Sequence, residues 1–156
     1  MKKWLKIALI VVIVFLVVAQ FFRPSHVNPP IDPAKTLVAT TPVPANVESI
    51  FERSCYDCHS NKTVYPWYAN VAPLSWWLAS HINDGRRELN FSEWGPYSHK
   101  RKLHKLKAIC DEVKQGDMPL ETYLPMHPAA KLSDADRTTI CAWASAESKR
   151  ETVAPH

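Results

Sequence analysis

The chain has 156 residues, a formal net charge of +4, and 13 prolines against 3 glycines. Four of its 19 Lys and Arg lie at or before Arg23, which leaves as many basic residues beyond it as there are Asp and Glu. The part after Arg23 is therefore formally neutral, and no overall basic character argues for nucleic acid as a partner.

The N-terminus reads MKKWLKIALIVVIVFLVVAQFFRP, with Lys2, Lys3 and Lys6 ahead of an apolar run from Ile7 to Val18. Counted from Trp4, this stretch is just long enough to cross a bilayer as a helix. The lysines place its start in the cytoplasm and everything after Arg23 on the far side. Residues 1–23 are thus expected to anchor the chain in a bacterial inner membrane, single-pass, with the C-terminal domain facing the periplasm. A signal peptide cleaved before Gln20 is the alternative, and it exports the same domain.

Residues 24–45 contain Pro24, Pro29, Pro30, Pro33, Pro42 and Pro44 and no glycine. Proline at that density disfavours helix and gives a semi-rigid, extended tether. The folded domain is expected over residues 46–150, followed by a tail at 151–156. Roughly one hundred residues make one domain with a small hydrophobic core.

Asn46 can cap a first helix in which Val47, Ile50 and Phe51 recur at helical spacing and which runs into Cys55. In NKTVYPWYANVAPLSWWLASHINDG a loop leads to a second helix. Pro73 suits its first turn, Trp76, Trp77, Leu78 and Ile82 supply apolar bulk, and Gly85 is the natural stop. A polar, aromatic loop follows, and then a helix marked by Leu103, Leu106, Cys110 and Val113 and ended by Gly116. Its first half, HKRKLHKLK, is a solvated basic face or a surface for an acidic partner. After a proline-containing loop, Ser133 and Asp136 start a last helix that carries Ile140, Cys141, Trp143 and Ala144. Nothing alternates with strand period for long. The sequence predicts a small all-α domain.

The chemistry is concentrated in SCYDCHS, residues 54–60. Cys55, Cys58 and His59 in that spacing admit a thiol–disulfide redox pair, half of a zinc site, or attachment of a c-type haem. A redox pair normally sits at a strand-to-helix turn, and no such strand is predicted. A zinc site needs four convergent ligands, whereas Cys110 and Cys141 stand alone on separate helices. Haem uses all three residues: the thiols add across two vinyl groups, and the imidazole of His59 falls beneath the iron. A buried porphyrin also supplies apolar surface that so small a domain lacks.

For the sixth iron ligand the sequence offers Met118, held between Gly116 and Pro119. Met126 and His127 are rivals, and His81, His99 and His104 are more remote ones. Cys110 and Cys141 lie on apolar helix faces expected to meet, so they form a disulfide or remain as two buried thiols.

Three stretches carry a resemblance: CYDCHSNKTVYPWYANVAPLSWW, NDGRRELNFSEW and GDMPLETYLPMHPAAKLSDADRTTICAWA. In them the chain resembles the bacterial haem-binding domain family, a branch of cytochrome c-like proteins. The resemblance covers nearly all of the exported part. It implies a cytochrome c-like fold, one covalent haem c on Cys55 and Cys58, His59 as proximal ligand and Met118 as distal ligand. The expected function is a membrane-tethered monohaem electron carrier with redox partner proteins, not an enzyme. A haem-based sensor and a small peroxidase are the alternatives.

Overall fold

Seven α-helices and four short 3-10 turns, with no strand, make up the described residues, 2–153, of this computed structural model. The helices are α1 (Lys2–Ala19), α2 (Leu37–Thr40), α3 (Ala45–Ser54), α4 (Tyr56–His59), α5 (Leu74–Glu88), α6 (His99–Gln115) and α7 (Asp134–Val153). The tail expected at 151–156 begins as the last turn of α7, and residues 154–156 lie outside the described residues.

The main core forms where α3 meets the pair α6 and α7. Phe51, Leu106 and Ile140 are fully buried there. Burying a side chain of that size contributes about 1.5–3 kcal/mol. Phe51 stacks on Phe91 with centroids 5.0 Å apart and meets Trp143 edge-on at 5.3 Å. A disulfide between Cys110 and Cys141, Cα atoms 4.8 Å apart, joins α6 to α7. A second, smaller cluster of Tyr68, Ala69, Leu78 and Ile82 packs beneath α5.

Most helix ends follow local chemistry. Ser98 accepts the Arg101 N–H at the start of α6, and Gly116 ends that helix at φ 85°, a left-handed conformation that suits glycine. Ser133 and Asp136 satisfy each other's backbone N–H groups before α7. Two ends differ from expectation. Helix α3 begins at Ala45 behind Pro44, whose carbonyl accepts the N–H groups of Val47 and Glu48, so Asn46 lies inside the helix and caps nothing. Helix α5 runs through Gly85 to Glu88, because that glycine answers a close approach and not a turn.

The proline-rich segment is laid against the domain instead of standing off as a tether. His26 stacks on Tyr65 at 4.9 Å, Asn28 donates to the Thr63 carbonyl, and Asn61 donates to the Pro30 carbonyl. Arg86 clasps Asn28, Ser60 and Thr63 together. Further along, Leu37 is buried in the main core and Trp143 donates to the Pro42 carbonyl. Proline leaves these residues extended with carbonyls free to accept, and side chains of the domain fill that need.

The expected single-pass location in an inner membrane is overturned, since among the described residues no helix is long and apolar enough to cross a membrane. Helix α1 has 18 residues, about 27 Å at 1.5 Å per residue. Lys2, Lys3 and Lys6 occupy its first turns as part of the helix, not as flanks. The apolar remainder, residues 7–19, reaches roughly 20 Å against a hydrocarbon core of about 30 Å. The end of α1 sits on the domain: Gln20 exchanges hydrogen bonds with Ala72, Arg23 donates to the Asn70 carbonyl, and Trp76 donates to the Phe22 carbonyl.

Candidate functional site

Cys55 breaks the register of α3 with φ −129° and ψ −38°, and its carbonyl accepts the N–H groups of Cys58 and His59. The single turn of α4 therefore presents Cys55, Cys58 and His59 together. This turn lies directly on α5 at Gly85. A Cβ at that position would stand 2.7 Å from the Cys58 carbonyl oxygen, closer than real Cβ atoms come. Only glycine lets the two backbones touch there.

That approach fixes the histidine. His59 Nδ1 is 3.0 Å from the Gly85 carbonyl and 3.1 Å from the Leu89 carbonyl. Both partners can only accept, so Nδ1 carries the proton and Nε2 keeps its lone pair. Burial pushes the His59 pKa below the ordinary imidazole value, against a weaker opposing pull from the two carbonyls. A neutral imidazole with one nitrogen tied down and the other free is a metal ligand held ready.

Burial likewise pushes the Cys55 thiol up to about 12 and the Cys58 thiol up to about 11. A redox CxxC works through a depressed thiol pKa, so this environment opposes thiol–disulfide chemistry. Among the described residues no three His, Cys, Asp or Glu side chains gather as a metal cluster.

Met118 arrives from α6. The N–H groups of Gly116, Asp117 and Met118 all point to the Glu112 carbonyl, at 3.1, 3.0 and 3.3 Å, and turn the chain out of the helix. Met118 and Pro119 then face a cavity shared with the CxxCH turn. It has two lobes, of about 210 and 290 Å³, and Cys55, His59 and Met118 line both. Cys58, Trp77, Leu78 and Tyr123 wall the first, and Phe91, Ile109 and Val113 the second. Two thiols, a free imidazole nitrogen and a thioether inside apolar walls are a donor set that fits haem.

Three of the rivals, Met126, His127 and His99, line neither lobe. Met126 is 52% exposed and lines neither lobe. His127 lies flat on Tyr123 and shares a hydrogen bond with the Tyr68 hydroxyl at 2.7 Å. His99 pairs with Glu151. His81 and His104 line one lobe each, and His81 Nδ1 is committed to the Trp77 carbonyl. On the basic stretch Lys102, Lys105 and Lys107 pair with Glu151, Glu88 and Asp111.

The sequence leads one to expect His59 to donate its second ring nitrogen to a backbone carbonyl, and it does so; which carbonyls, and the close approach at Gly85 that supplies one of them, were not foreseen. A glycine inside an otherwise helical, apolar-periodic segment was the available signal for a close backbone approach. Nothing local signalled Asp57 and Tyr123, whose hydrogen bond spans 66 positions.

A family model described as a haem-binding domain matches residues 14–146. Neither the curated proteins nor the solved structures contain a match to the chain.

Proposed function

Since the chain belongs to the haem-binding domain family and haem is its cofactor, we propose that it is a monohaem c-type electron carrier. Cys55 and Cys58 would hold the haem through thioethers, and His59 Nε2 and Met118 would be its iron ligands. Each thiol would be consumed in that attachment, its sulfur bonding to one vinyl carbon and its hydrogen passing to the other. Bound there, haem supplies a centre that gains and loses one electron.

The observation that carries this reading is the convergence of Cys55, His59 and Met118 on both lobes of one apolar cavity, with Cys58 on the first. The protein's own contribution is orientation and exclusion of water. His59 is locked by two carbonyls, which fixes its tautomer and raises its basicity as a ligand. A methionine ligand beside the histidine would raise the reduction potential and leave no open position for small ligands, a combination suited to electron transfer.

The test is electrophoresis of the matured protein under denaturing conditions, stained for haem. A haem band at the mass of the chain is expected, and it should vanish in Cys55→Ala/Cys58→Ala. Complete extraction of the haem from the unaltered protein by acidified solvent would sink covalent attachment. The ferric protein should also show the weak near-infrared band of methionine ligation. Met118→Ala should abolish that band and Met126→Ala should leave it.

A further inference from the structure

The segment that follows Met118 has no helix over residues 119–127, and its backbone bonds there are short turns onto itself. Two side-chain ties fasten it to the rest of the domain, the first of them between residues that line the cavity. Tyr123, almost wholly buried, donates its hydroxyl to Asp57 Oδ2 at 2.8 Å. His127 stacks on the Tyr123 ring at 3.9 Å and 7°, and it shares its hydrogen bond with Tyr68 in the turn Trp67–Asn70.

Asp57 is one of the two residues between Cys55 and Cys58. Its second oxygen, Oδ1, accepts the Val64 N–H at 2.9 Å, so the carboxylate is fixed at both ends. Tyr123, Pro119 and Leu120 line the first lobe beside Met118. The turn that carries the cysteines and His59 thus also grips the segment that carries Met118.

We propose that Asp57 and Tyr123 form a latch that keeps the Met118 segment closed over the haem, with Tyr123 as a positioning residue for the distal ligand. This rests on the reading of Met118 as that ligand. Cofactor attachment and distal closure are coupled through one turn: fixing Cys55 and Cys58 on the haem fixes Asp57 between them, and Asp57 holds Tyr123. A hydrogen bond to a carboxylate is charge-assisted, and its loss corresponds to roughly a 10- to 100-fold larger open population.

Carbon monoxide binding to the reduced holoprotein, followed by stopped flow, reads that population directly, because the gas reaches the iron only when the methionine has left. The unaltered protein should bind slowly, and Tyr123→Phe, which keeps the ring and its stacking on His127, should bind about 10- to 100-fold faster. In a Met118→Ala background binding should already be fast, and adding Tyr123→Phe should change nothing further. Equal rates in the unaltered protein and Tyr123→Phe would overturn the latch alone. The same acceleration in both backgrounds would overturn it too, since the tyrosine would then be loosening the cavity at large. Fast binding by the unaltered protein, together with a missing near-infrared band, would overturn the methionine reading and the latch with it.

Discussion

Gly85→Ala sets two opposed effects against each other at one atom. Within a helix, alanine is more favourable than glycine by about 1 kcal/mol, so α5 alone would gain. The added methyl, however, would stand 2.7 Å from the Cys58 carbonyl oxygen and 3.2 Å from the Cys58 carbonyl carbon and Cβ. Reaching ordinary contact requires α4 to retreat by roughly 0.5 Å or more. The obstacle is backbone and cannot rotate aside. Overpacking of this kind costs about 1–3 kcal/mol, which leaves a net loss of about 0–2 kcal/mol. The retreat also stretches the two His59 bonds, now 3.0 and 3.1 Å, toward the limit of hydrogen bonding. A less basic imidazole stabilises ferric iron less, so the reduction potential should rise. Urea unfolding and spectroelectrochemical titration of the haem-loaded protein read the two effects separately. A variant about 1 kcal/mol more stable than the parent, with its potential unmoved, would refute the rigid contact between α4 and α5.

Two further outcomes are expected. Leu37→Ala, in the segment that wraps the domain, should cost about 2–4 kcal/mol in denaturant unfolding, because the side chain is 1% exposed within the main core; a loss under 0.5 kcal/mol would mean that the segment is not packed there. At Asp136 burial pushes the carboxyl up, but hydrogen bonds from Arg53 and Ser133 outweigh it and hold the pKa at about 2. With the folded pKa depressed, the stabilisation is complete above the unfolded value of about 3.9 and is lost as pH falls through about 2. Asp136→Asn should therefore be about 1–2 kcal/mol less stable at neutral pH, with the two curves converging near pH 2; a constant gap across that range would count against the ion pair.

What the sequence made legible was local. The α6 stop at Gly116 and the α7 start at Ser133 and Asp136 depend on residues a few positions apart, and both stand in the structure. The spacing of Cys55, Cys58 and His59 likewise carries its own geometry, since one helical turn brings them to one face. Gly85 was misread because glycine ends a helix in isolation, while its use here is decided by α4 lying against it. Prolines told correctly that residues 24–44 are largely not helical, but not where an extended chain rests. That depends on Asn28, Asn61 and Arg86 finding carbonyls and partners far along the chain. In α1 the lysines were counted as flanks of an apolar span, and they prove to be part of the helix.

The seam between the two hydrophobic clusters has a consequence for how the chain unfolds. Cys55 and Met118 pack at the edge of the larger cluster, and Cys58 packs at the edge of the smaller. The CxxCH turn therefore straddles the boundary, and the cavity lies along it. A core built on Tyr68, Ala69, Leu78 and Ile82 is too small to stand alone. A porphyrin in contact with both sides would merge them into a single cooperative unit, and the haem-free chain is expected to melt in two stages, the α5 side first. On this account haem would act as a structural element on the scale of a helix, and the order of events in making the protein would follow: α3, α6 and α7 first, and the α5 side with the cofactor.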